Sequence, residues 1–278
     1  MSQIFRQYTY DDSFLKVFVD SRLANEYQIA LIFARDYDES DGPTNGIFRI
    51  YWDQTKITPS SILQFRESLP HNVTLKVFIS IGDRDVKYRF RPIDAQSWIS
   101  NATESLTSII RDNLYALTLN QIEFGLDVFY EHIDDNVEPN GFAQCIGQLI
   151  RNLKAAKVIT AASISPSSSL NDDYYSLLNR KFPSLVDLVD YQFQNEITSV
   201  DSPVLLEERF SAVSRFYPKR KLLAGYSAEN EDWTNLSPIV FFVFGSRLFN
   251  KRESVAGFSI IYHDFVNRIS SPSSVSPP

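Results

Sequence analysis

Along this chain, short runs of apolar, β-branched and aromatic residues alternate with longer stretches in which apolar positions recur every three or four residues. A period near two marks strands and a period near 3.6 marks helices, so the alternation predicts βαβ units and a parallel sheet. Strand-like runs fall at residues 5–10, 28–36, 75–82, 121–131, 158–165, 188–195, 221–227 and 257–263. The spacing predicts a helix over 94–113, where Trp98, Ala102, Leu106, Ile109 and Ile110 share one face and Asp94 stands as N-cap. A second is predicted over 139–157, through Phe142, Cys145, Ile146, Leu149, Ile150 and Leu153. Ser237-Pro238 reads as an N-cap followed by proline in the first turn, where its missing N–H costs nothing.

Eight strands with intervening helices in about 265 residues match one α/β domain, a (β/α)8 TIM barrel. It is expected to span residues 1–268, followed by a flexible Ser/Pro tail over 269–278 that ends in SSPSSVSPP. The rival is an open doubly wound sheet, whose usual mark is a glycine-rich first turn. This chain has no G-x-G-x-x-G and no G-x-x-x-x-G-K, and its 9 glycines are about half the usual ~7%. Nucleotide binding through either loop is unsupported, and no cofactor is implied. Residues 37–52, with Asp41-Gly42-Pro43 and Asn45-Gly46, read as an excursion after the second strand.

Charge narrows the range of partners. With 27 basic against 34 acidic side chains and a net charge of −7, the chain has no general attraction to phosphate backbones or anionic membrane surfaces. This argues against nucleic-acid and membrane partners. The single cysteine, Cys145, cannot form an intramolecular disulfide and reads as a small buried hydrophobe. Arg6, Asp11, Asp12 and Lys16 interrupt the first twenty residues, which therefore do not read as a signal peptide, nor are they rich enough in Arg and Ser for a transit peptide. The expected location is cytoplasmic, with the sequons at Asn72, Asn101 and Asn235 unglycosylated.

The stretch most informative about chemistry is QIEFGLDVFYEHIDD, residues 121–135. Read with period two, Leu126, Val128 and Tyr130 point one way while Asp127, Phe129 and Glu131 point the other. In a barrel the first set packs under helices and the second faces the interior. Inward acids are costly unless hydrogen-bonded or functional, so Asp127 and Glu131 are either an active-site remnant or a satisfied structural pair. At roughly 3.3 Å per residue they stand about 13 Å apart, too far for the two-carboxylate pair of ordinary glycosidases.

The run Phe124-Gly125-Leu126-Asp127-Val128-Phe129-Tyr130-Glu131 resembles the D-G-x-D-x-D-x-E signature of family 18 glycoside hydrolases, the chitinase family. Lys76–Gly82 (KVFISIG) resembles the third-strand S-x-G-G motif, Asp190–Asn195 (DYQFQN) resembles the sixth-strand Q-F-Y-N of plant chitinases, and Gly257 opens a plausible eighth strand. The chain is similar above all to the narbonin-like plant members, through IFRQY (4–8), FARDYD (33–38), WISNATESL (98–106), YEH (130–132) and VDYQFQN (189–195). The similarity runs from residue 4 to about 265. It implies a (β/α)8 barrel and a vestigial pocket made by Asp127, Phe129, Glu131, Gln192, Gln194 and Ile261.

Several positions depart from the family pattern. By the resemblance, Glu131 matches the acid that protonates the leaving oxygen. The residue two earlier should be the aspartate that holds the substrate's N-acetyl group as it attacks the anomeric carbon, and here it is Phe129. A benzyl group can neither accept the amide proton nor steady the resulting cation. Phe124 stands for the first signature aspartate, Asp83 for the second glycine of S-x-G-G, and Gln194 for the tyrosine that binds the substrate carbonyl. Ile261 takes the place of the tryptophan that floors the sugar subsite. The expectation is an inactive chitinase homologue in which Glu131 is a vestigial acid.

Other candidates carry less. His71, His132 and His263 lie far apart, with no H-E-x-x-H and no cysteine cluster, so no metal site is expected. No G-x-S-x-G elbow exists, and Ser13-Phe-Leu-Lys16 is a chance S-x-x-K match without its companion motifs. Lys219-Arg220-Lys221 reads as a solvated loop after a helix ending near Tyr217. The resemblance implies a storage-like or protein-associating role, with RuBisCO as the partner. Two alternatives stay open. One is a lectin-like protein binding saccharide weakly in the old groove; the other is a glycosidase of altered specificity pairing Glu131 with Asp190 or Asp264.

Overall fold

The computed structural model describes residues 3–17, 24–168, 172–193, 202–227, 236–250 and 255–261. Nine strands run through them: β1 (Ile4–Thr9), β2 (Glu26–Arg35), β3 (Arg49–Ile50), β4 (Thr74–Asp83), β5 (Glu123–Tyr130), β6 (Ala161–Ile164), β7 (Leu188–Gln192), β8 (Leu222–Ser227) and β9 (Gly257–Ile261). All but β3 are parallel, and the sheet closes on itself because β1 pairs with both β2 and β9. The result is an eight-stranded parallel barrel, as the alternating pattern predicts. Each expected run holds one barrel strand, with ends shifted by up to three residues. β3 lies in the excursion over 37–52 and pairs antiparallel with β2.

Six α-helices among the described residues surround the barrel: α1 (Pro59–Ser68), α2 (Ala95–Leu119), α3 (Pro139–Ala155), α4 (Asp172–Lys181), α5 (Pro203–Val213) and α6 (Pro238–Asn250). Their starts follow local chemistry. Thr58 and Ser61 form a capping box before Pro59, and the Asp94 carboxylate accepts from Ser97 N at 2.8 Å. The predicted apolar faces of α2 and α3 are buried, including Trp98, Ile146 and Cys145. Burial pushes the Cys145 thiol up to about 11, so it acts as a packed, unreactive group. α2 runs one and a half turns beyond the expected end.

The basic cluster corrects an expectation. α5 ends at Val213 rather than near Tyr217, and Lys219–Lys221 forms a turn of 3-10 helix. Lys221 is anchored rather than free in solvent: its ammonium donates to the carbonyls of Pro183 and Val186. Asn101 uses its amide to hold Asn45 O at 3.0 Å, while Asn72 is exposed in a turn. Gln194, Asn235, His263, Asp264 and the tail over 269–278 lie outside the described residues. Among the described residues, no helix is long and apolar enough to cross a membrane.

Candidate functional site

The alternation in β5 divides its side chains as the period requires. Leu126, Val128 and Tyr130 join the large core between strands and helices, whereas Phe129 belongs to a separate cluster inside the barrel. Asp127 also faces inward and is fully buried. Its neighbours follow from register, because Ser80 of β4 and Ser163 of β6 are its cross-strand partners. Both donate to it, Ser80 at 2.8 Å and Ser163 at 2.5 Å, and Ser165 adds a third bond at 2.9 Å.

The cation that balances Asp127 is Arg6 of β1, also fully buried. Arg6 Nη1 lies 3.1 Å from Asp127 and 3.4 Å from Asp190 of β7, while its Nε donates to Gln28 Oε1 at 2.8 Å. The guanidinium carbon sits 4.4 Å from the centre of the Phe78 ring. Burial works against the charge on Arg6. The fields of Asp127 and Asp190, with the Tyr8 oxygen accepting from Nη1, outweigh it, and the guanidinium is held charged more firmly than usual. Asp190 accepts from Ser259 Oγ (2.6 Å), Gln192 Nε2 (3.0 Å) and Tyr8 OH (2.9 Å). This layer fits because β8 contributes Gly225: a methyl there would stand 2.6 Å from Gln192 Nε2 and 2.7 Å from Asp190 Oδ1.

Toward the C-terminal mouth the interior turns apolar. Phe129 is fully buried, edge-on to Tyr8 (5.6 Å between ring centres) and to Phe33 (5.5 Å), in one cluster with Ile32, Phe78 and Ile261. Of the predicted pocket residues, Asp127, Phe129, Gln192 and Ile261 are therefore packed inside the barrel, and Gln194 is outside the described residues. Three grooves on the described surface, one of about 460 Å³ between α6 and the outer faces of β1 and β9, are lined by none of these residues.

Glu131 closes the series at the mouth. Arg84 Nε lies 3.4 Å from its Oε1, and Arg84 Nη1 donates to Ser227 Oγ at 3.0 Å. Asp83 holds the adjoining turn: its carboxylate accepts from Arg84 N, Asp85 N and Arg35 Nε, and its carbonyl accepts from Glu131 N. Arg35 is in turn sandwiched between the rings of Tyr51 and Tyr88, about 4 Å from each. Gly82 makes the approach of β4 to β5 possible at φ +108°, where an added methyl would meet Phe129 O at 2.5 Å. Gly82→Ala is accordingly expected to destabilise the fold by more than about 1 kcal/mol, read as a lower urea midpoint.

Reasoning from the residues alone missed Arg6, Arg84 and Asp36. Asp36 is buried after β2, where Trp98 Nε1 (2.8 Å) and Tyr130 OH (3.2 Å) donate to it; burial raises its carboxyl against those bonds. A usable signal existed for Arg6. An arginine in the middle of an apolar strand must find a buried anion, and Asp127 was an inward acid on offer.

Fold and site together define a chitinase-like (β/α)8 barrel. No family model matches the chain. It is 38% identical over 249 residues to the RuBisCO-associated protein of Glycine max, covering 87% of this chain and 84% of that one. It is 32% identical over 213 residues to Chitinase 1 of Tulipa saxatilis subsp. bakeri, covering 74% and 63%. The family 18 chitinase structure from Crocus vernus superposes with a TM-score of 0.79 at 29% identity, covering 93% of this chain and 92% of that one. The chain belongs to the chitinase-like family 18 glycoside hydrolases, with the soybean RuBisCO-associated protein among its relatives.

Proposed function

We propose that this protein is a non-catalytic family member that works by associating with another protein, RuBisCO being the partner suggested by its soybean relative. The observation that carries the first half is the buried phenyl ring of Phe129 on β5, two residues after Asp127 and two before Glu131. On the family pattern this position holds the substrate's N-acetyl group, and a hydrocarbon sealed against Tyr8 and Phe33 leaves neither a proton acceptor nor room for one.

Losing one positioned catalytic group typically costs ~10²–10⁴ in rate, and here the support for the internal nucleophile and the sugar platform are both missing. The lectin reading needs an exposed aromatic floor, and burial of Phe129 and Ile261 counts against it. In the altered-glycosidase reading, Asp190 is already committed to Arg6, Tyr8, Gln192 and Ser259. Incubation with chito-oligosaccharides is expected to release no product; turnover that Glu131→Gln abolishes would defeat the non-catalytic reading. Passing leaf extract over the immobilised protein tests the association, and failure to retain any RuBisCO subunit would end that half alone.

A further inference from the structure

The groups facing Asp190 inside the barrel can be named strand by strand. They are Arg6 and Tyr8 on β1, Gln28 on β2, Ser80 on β4, Asp127 on β5, Ser163 on β6 with Ser165 just beyond it, Gln192 on β7, Gly225 on β8 and Ser259 on β9. Within this set there is one cation, Arg6, and there are two acids, Asp127 and Asp190, all with no exposure to solvent. A sealed layer with one charge too many relieves the excess by taking up a proton. The bonding indicates which acid takes it. Asp127 receives Arg6, Ser80, Ser163 and Ser165 besides Tyr8, the environment of an acceptor-only carboxylate. Tyr8 has a single hydroxyl proton, yet its oxygen lies 2.9 Å from Asp190 Oδ2 and 3.3 Å from Asp127 Oδ2. It can donate to only one of them at a time.

We propose that this layer is a buried proton-binding site: Asp190 Oδ2 takes a proton from solvent and donates it to the Tyr8 oxygen, Tyr8 O–H turns to Asp127 Oδ2, and Arg6 balances Asp127 alone. The direction of titration agrees. Burial moves the Asp190 carboxyl up to about 6, with Arg6 opposing and Asp127 adding to the rise. The folded chain then holds this proton more tightly than the unfolded one. The contribution to stability is full below the unfolded value near 4, declines as pH rises toward about 6, and is absent above it. This contribution favours the barrel in acid, and the layer carries its excess charge under alkaline conditions.

Two measurements test this. Thermal melts of the wild type and Asp190→Asn at pH 5 and pH 8 are compared first. The asparagine mimics the protonated acid, so its melting temperature should gain on the wild type by roughly 2–3 °C between pH 5 and pH 8. Acid-minus-alkaline infrared difference spectra are the second. The wild type should show the carbonyl stretch of a buried carboxylic acid, Asp190→Asn should lack it, and Tyr8→Phe should shift it by removing its acceptor. Asp36, another acid raised by burial, is bonded to Trp98 and Tyr130 and would be indifferent to Tyr8. If Asp190→Asn does not fold, the wild-type band and its shift in Tyr8→Phe still decide. An unchanged pH difference in Asp190→Asn, or no wild-type band sensitive to Tyr8, overturns the proposal.

Discussion

Replacing Arg6 by methionine is expected to destabilise the barrel by about 3–5 kcal/mol at pH 8, the cost of removing one partner from a buried ion pair. Methionine keeps most of the stem's packing and removes the charge, leaving Asp127 and Asp190 sealed together with no cation among their described neighbours. Gln28 Oε1 also loses its donor. With the guanidinium gone, Asp190 is pushed further toward its protonated form, so the loss is largest at alkaline pH and partly recovered in acid. Urea denaturation at pH 5 and pH 8 checks both size and sign. Arg6→Lys should fall between wild type and Arg6→Met, because an ammonium restores the charge but not the forked bonds to Gln28, Tyr8 and Ser163. An Arg6→Met protein as stable as wild type at pH 8 would show that the layer needs no cation.

The second large effect is at Phe129. Phe129→Asp, which restores the family's residue type, is expected to cost at least about 3–5 kcal/mol, the range for deleting a buried phenyl ring, and to yield no chitinase. The new carboxylate would lie against Phe33, Ile32, Phe78 and Ile261, none of which can donate a hydrogen bond. Tyr8, whose ring packs edge-on against Phe129, is already within bonding distance of the two aspartates below. Phe129→Leu should cost much less, because it remains apolar and nearly fills the space. A thermal melt separates the three proteins, and hydrolysis of N-acetylglucosamine oligomers is read on the same samples. Robust turnover by Phe129→Asp with a wild-type melting temperature would mean that the interior is far less committed to its apolar packing than its contacts indicate.

These two residues were unequally legible in the sequence. Phe129 stood out because the two-residue period of β5 placed it between two acids and the resemblance supplied the residue it replaces. Arg6 was less legible: its place in the strand IFRQYT hinted at a buried partner, but its enclosure is fixed only once β1 pairs with both β2 and β9. Glu131 stood out as an acid in step with Asp127 and Phe129. Its partner Arg84 lies at the start of a loop with no periodic pattern, where nothing local says which way a side chain turns.

The chain's own pattern was enough to determine the eight parallel strands, the sides of β5 and the capped start of α2. Each of these depends on steric and solvent preferences acting over a few neighbouring residues. Closure of the barrel decided the rest. It brought Arg6 against Asp127 and Asp190, 121 and 184 positions away, stacked Phe129 on Tyr8 and Phe33, and laid Arg84 on Glu131. The energy of a buried charge or ring depends on which groups from distant strands enclose it, and no local period encodes that.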